Sequence, residues 1–302
     1  FFGTVGDWDF NYYEMLELEE KMARLGLPHR IETFEGGHIW PPEALATQAI
    51  GWMELQAMKA GKVLKSPEVV EALWAEDLQR ARSQDAAGKV LEAQHTWSAM
   101  AAGYAGLRDV VEAARKAAEL SASEAFKKGM EARAARNRRD VEYLEQAPQI
   151  LARSNPVNAV EGPVTVKQVA AELKIPELKA RAKSADPEER LSAQRLLSLT
   201  LIQTAYYLPR MFTERGEHDR ALFMLSVAAE IHPEDPEIWY EMAASHARKG
   251  RSGRKKALEA LRKVAEYGWT DLERLDREPA FSGLKQDEEF RRIVAQIKGA
   301  HG

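Results

Sequence analysis

Over the first 61 residues the apolar positions change period twice. FFGTVG is a short apolar run ending in glycine, the mark of a buried strand, and DWDFNY after it is a polar turn. Over 14–25, Met15, Leu18, Met22 and Leu25 recur on one helical face, and Gly26 and Pro28 stop the helix. HRIETFEG reads as a second strand, a Gly-Gly-His loop follows, and 41–61 reads as a helix opening on two prolines and ending at Gly61. Strand, helix, strand, helix is a parallel crossover unit. Such a unit needs helices on both faces and more than two strands to be stable by itself, so this segment is expected to be the edge of a larger sheet.

From Ser66 onward the strand signals vanish. Alanine, leucine, glutamate, lysine and arginine dominate, with glycines spaced like turns between helices. The pattern predicts a helix over 66–88, with a serine cap and a proline behind it, and a second over 88–106. A third is expected over 107–129, broken near Ser121. Trp74, Trp97 and Tyr104 fall at helical spacings that read as core rather than as a ligand cage. SNPVNAVEGPVTV, rich in proline, glycine and asparagine, reads as a linker, and a second helical block is expected from about Asp186.

Two stretches of that second block align with each other. Ala221 falls on Ala257 and Leu225 on Leu261, 36 residues apart, close to the roughly 34-residue period of helix-turn-helix repeats once the insertion RSG is allowed. Trp239, Met242, Ala243, His246 and Gly250 take the large-large-small-large-glycine places of a first helix, and Ala257, Leu261 and Val264 the interlocking places of a second. On those residues the block resembles the tetratricopeptide-repeat family, with one good repeat, a partial one before it and a closing tail over 271–299. The resemblance implies a protein or peptide partner. Fewer than three clear units make a marginal solenoid, so packing against the earlier helices is expected. Tyr206, Tyr207, Met211 and Phe212 cluster around Pro209, where core packing and a peptide groove are both open readings; with Trp239 and His246, the two tyrosines are the candidate peptide-binding residues.

The front end carries a different resemblance. GDWDFNYYEM, then PHRIETFEGGHIWPP, then a helix containing AIGWMELQ, has the acid-loop, last-strand, histidine-loop and last-helix order of the C-terminal part of the α/β-hydrolase family, in the dienelactone-hydrolase or esterase-like branch. The resemblance makes His38 the general base and Asp9 its orienting acid, with Asp7 as the alternate. Gly36 and Gly37 would let the loop turn sharply, and Trp40, Pro41 and Pro42 would brace it and start the helix. The family's serine has no counterpart, because none of the 302 residues forms a G-x-S-x-G elbow, and no earlier strand offers oxyanion-hole amides. The expectation is the C-terminal portion of a serine esterase or peptidase-like hydrolase, inactive as given; the alternative is a repeat scaffold carrying a non-catalytic hydrolase remnant.

Composition narrows the picture a little further. A net charge of −4 with both signs interspersed provides no broad positive face, so a nucleic-acid partner is not expected, and KKGMEARAARNRR reads as a solvated helix face. Zero cysteines exclude disulfides and thiolate metal sites without fixing the compartment. No apolar run approaches the roughly 20 residues of a membrane helix. The remaining histidines show no metal-ligand spacing, so neither metal nor cofactor is expected. The reading is therefore mainly α: a hydrolase-like α/β fragment over 1–62, a helical bundle over 63–153, a linker over 154–166 and a repeat-like helical domain over 167–302. An open sheet edge implies a covering helix or a homodimer.

Overall fold

The computed structural model describes residues 1–154 and 164–299, and most of the linker expected over 154–166 lies outside them. The chain is mainly helical, with fifteen α-helices and one two-stranded parallel sheet among the described residues. It divides into two compact units, Phe1–Glu142 and Tyr143–Gly302.

The first unit opens with β1 (Phe2–Gly6), α1 (Tyr12–Arg24), β2 (Arg30–Phe34) and α2 (Glu43–Lys59). The strands pair in parallel from Phe2 opposite Arg30 to Gly6 opposite Phe34. Val5, Ile31 and Phe34 are buried, as expected of strands covered by α1 and α2. Gly6 is required by contact: a Cβ there would lie 2.2 Å from the Gly36 carbonyl oxygen. The next elements are α3 (Pro67–Ala86), α4 (Val90–Tyr104) and α5 (Val111–Ala122). Ser66 caps α3 by accepting the Val69 N–H. Trp74, Trp97 and Tyr104 all lie in the core of these helices, where Trp74 and Tyr104 meet edge to face at 5.1 Å.

The helix break expected near Ser121 falls at Ser123. Its extended backbone and its hydroxyl, accepting the Phe126 N–H, start α6 (Glu124–Arg153). This helix runs through the basic stretch to Arg153, within the helical segment expected up to 153. The basic run forms part of it and is largely solvated, but the next residue, Asp140, is fully buried and accepts a hydrogen bond from Tyr13 of α1.

In the second unit, two short helices precede the block expected from Asp186: α7 (Val166–Glu172), opened by a Thr165–Gln168 capping box, and α8 (Ile175–Arg181). Asp186 then caps α9 (Pro187–Ile202). A π-helical segment, Gln203–Tyr207, leads into α10 (Leu208–Glu214). There the Leu208 N–H reaches back to the Gln203 carbonyl just ahead of Pro209, which has no N–H to offer, so the wide turn carries the helix past the proline. The remaining helices are α11 (His218–Ile231), α12 (Pro236–Arg248), α13 (Arg254–Glu266), α14 (Leu272–Arg277) and α15 (Glu288–Gly299). The aligned pairs Ala221/Ala257 and Leu225/Leu261 are all fully buried. Small residues, Ala243 and Ala244 on α12 and Ala257 and Ala260 on α13, let these two helices pack closely. Trp269 stacks on Tyr240 at 4.6 Å to close the far side.

Candidate functional site

Because β1 and β2 run parallel, the loops after them leave the sheet at the same end, and backbone bonds join the two loops. Asp7 N–H donates to the Phe34 carbonyl at 2.8 Å, and Trp8 N–H to the Gly36 carbonyl at 3.1 Å. Asp9 sits in a tight turn, its own N–H on the Gly6 carbonyl and its Oδ1 accepting the Asn11 N–H at 2.9 Å. The carboxylate is thereby fixed before it meets any other side chain.

It meets His38. The imidazole Nδ1 lies 3.1 Å from Asp9 Oδ2 and 3.3 Å from Oδ1, and the Asn11 amide approaches the same nitrogen at 3.5 Å. The Phe10 ring lies against the imidazole at 4.6 Å. The Asp9 side chain is only 8 % exposed whereas that of His38 is 63 % exposed, so a buried anion holds one ring nitrogen of an imidazole otherwise open to solvent. An Nδ1–H donor to Asp9 leaves Nε2 as the unprotonated atom, the form needed to take a proton from a nucleophile. Asp7, the alternate acid, is tied by its backbone to the end of β2. Trp40 does not brace the loop: its side chain is 93 % exposed, and the indole packed on Gly37 is that of Trp8. Trp8 takes that place because the backbone bonds between the loops bring it over the Gly-Gly pair, while the chain at Trp40 is already leaving toward α2.

The four residues with a candidate peptide-binding role fall on two elements of the second unit. Tyr206 and Tyr207 project from the π-helical segment, each 49 % exposed, edge to face at 5.1 Å, with Arg210 donating to the Tyr206 hydroxyl at 3.0 Å. Trp239 and His246 lie on α12. The Trp239 indole packs against the α12–α13 core and donates to the Pro233 carbonyl at 2.7 Å. His246 is half-buried, and burial together with Lys256 and Lys249 lowers its pKa to about 4. No group of three or more His, Asp or Glu side chains is placed to hold a metal among the described residues.

Sequence reasoning missed a buried charge network in the first unit. Arg30, 5 % exposed, donates to Glu32 at 2.6 Å and to both oxygens of Asp77 at 3.4 Å. Asp77 also accepts the Tyr104 hydroxyl at 3.0 Å and pairs with Arg80 at 3.2 Å. His95 stands 3.7 Å from Glu32. Burial would raise the Glu32 carboxyl, but the neighbouring His95 and the Arg30 charge outweigh it and hold the group at about 2. The signal available was two opposite charges at i and i+2 in a strand whose other positions read as core.

Compared with protein families, curated proteins and solved structures, the chain has no match.

Proposed function

We propose that Asp9 and His38 are the orienting acid and general base of a serine-hydrolase site of the α/β-hydrolase kind, with the nucleophile supplied from outside these 302 residues. The observation that carries this reading is the Nδ1 contact to a buried carboxylate on an otherwise exposed imidazole, at the carboxyl ends of two parallel strands. In such a site Asp9 holds the tautomer, His38 Nε2 removes the proton of a serine hydroxyl attacking an ester or peptide carbonyl, and the imidazolium returns that proton to the leaving group. The present chain supplies the base and its acid only, so alone it is inactive.

Two measurements test this. With p-nitrophenyl butyrate, the chain and its His38→Ala variant are both expected at the buffer rate; turnover that the substitution removes would place a nucleophile among these residues and overturn that part of the reading. In nitrogen-15 spectra at pH 8, His38 is expected as the Nδ1–H tautomer, and Asp9→Asn should shift it toward Nε2–H. A parent ring already in the Nε2–H form would end the base assignment.

A second reading, a tetratricopeptide-like interaction module, is favoured by the exposed Tyr206–Tyr207 pair and by the aligned, fully buried alanines and leucines of α11 and α13. Both readings are compatible in one chain, with the helices recruiting a protein partner to the hydrolase-like part.

A further inference from the structure

The opposite end of the same two strands carries a separate feature. Where β1 and β2 begin, α2 and α4 stand apart from the turn after α1 and leave an open cleft of about 900 Å³, within the range of about 300–1,000 Å³ typical of small-ligand sites. Phe1, Leu27, Trp52 and Met53 form much of its wall. Leu27 and Met53 remain about half exposed there.

The charges in the wall are all of one sign. Arg30, Lys59 and Lys62 line the cleft, and no aspartate or glutamate does. Arg30 is already neutralised by Glu32 and Asp77. Lys59 donates to the Ala102 carbonyl at 2.8 Å, and neither Lys59 nor Lys62 forms an ion pair among the described residues. An apolar wall beside two ammonium groups without counter-anions is complementary to a ligand with a hydrocarbon body and a single negative head.

We propose that this cleft binds a medium- or long-chain carboxylate, its hydrocarbon body against Trp52, Met53 and Leu27 and its carboxylate at Lys59 and Lys62. The site lies at the amino ends of the strands, away from Asp9 and His38, and its existence does not depend on any hydrolytic role for them. The hydrocarbon supplies affinity through the apolar area it removes from water, and the ammonium pair selects the sign of the head.

Titration calorimetry on the whole chain, with ligands below their micellar range, is the test. One laurate per chain is expected to bind, while acetate, which lacks the tail, and dodecyltrimethylammonium, which inverts the head, are not. Lys59→Gln combined with Lys62→Gln should weaken laurate about five-fold, the effect of two partly screened ion pairs. Met53→Glu, at an exposed position that tolerates the change, should weaken it further by adding a like charge at the mouth. Equal binding of laurate and dodecyltrimethylammonium, or laurate binding indifferent to both variants, would overturn the proposal. So would an unliganded dimer that Met53→Glu dissociates, because a second copy would then be the occupant.

Discussion

His95 on α4 and His246 on α12 are both histidines on helix faces, one in each unit, and their surroundings push them in opposite directions. The Glu32 carboxylate 3.7 Å away, with the charge of Glu19 adding to it, raises His95 against the opposing effects of burial and Arg30. Burial lowers His246 to about 4, with Lys256 and Lys249 adding to the effect and Asp219 and Glu259 opposing it. The contrast extends to the packing around them. In the first unit β2 is joined to α3 and α4 by the Arg30–Glu32–Asp77 network, whereas in the second unit α12 and α13 meet through alanine, leucine and valine. A strand secured by buried charge depends on every partner being present, while an apolar helix pair loses stability in proportion to the volume removed.

The largest expected effects test that difference directly. Asp77→Leu removes one of the two buried counter-charges of Arg30 together with the acceptor of the Tyr104 hydroxyl, and should destabilise the first unit by about 3 kcal/mol. Replacing the three charges at the centre of the network, with Arg30→Met, Glu32→Leu and Asp77→Leu together, should recover part of the loss, because the guanidinium goes with its counter-charges while the Tyr104 hydroxyl still lacks its acceptor. Leu261→Ala in the second unit should cost about 2–5 kcal/mol, and no second substitution of a polar partner should restore it. Amide hydrogen exchange assigned to α3 and α4 on one side and to α12 and α13 on the other reads the two units separately. If the triple variant is no more stable than Asp77→Leu, the network contributes more than charge compensation and the comparison loses its basis.

The same contrast explains what could be read from the sequence. The order of the first four elements and the existence of most of the helices were legible, because apolar period and capping residues such as Ser66 and Asp186 act locally. The candidate Asp9–His38 pair was reachable only through a family resemblance; their contact depends on two loops joined by backbone bonds between Asp7, Trp8, Phe34 and Gly36, which leave no periodic trace. The helical character of the basic run and of the chain up to Arg153 was legible, but the burial of Asp140 was not, since it is held by Tyr13, 127 residues away. The charge network stayed hidden for the same reason. Arg30 and Asp77 are 47 residues apart, and each alone looks like an ordinary surface residue.

Acidity separates the units next. His246 binds its proton less readily folded than unfolded, so stability from its neutral form is fully present above its unfolded value near 6.5 and is lost as pH falls through that value toward 4. For a half-buried ring partly screened by solvent, the loss over that window should be about 1–2 kcal/mol. Exchange of α12 and α13 amides, corrected for intrinsic rates, should quicken as pH drops from 7 to 5, and His246→Phe should flatten the profile. An unchanged profile in that variant would mean that another group carries the acid sensitivity.

The smallest effect has the opposite sign. His95 holds its proton more tightly in the folded chain, so its contribution is fully present below 6.5 and fades as pH rises through its raised folded value. The ring is 41 % exposed, which limits the contribution to about 0.5 kcal/mol. Its partner Glu32, held at about 2, behaves conversely at the acid end: what it contributes is present above its unfolded value and disappears only as pH falls through about 2. Between pH 8 and 5.5 the first unit should therefore become slightly more resistant to exchange while the second becomes less so. His95→Gln should abolish the gain without touching the loss. If both units move in the same direction over this range, the opposed histidine environments are not what sets their response to pH.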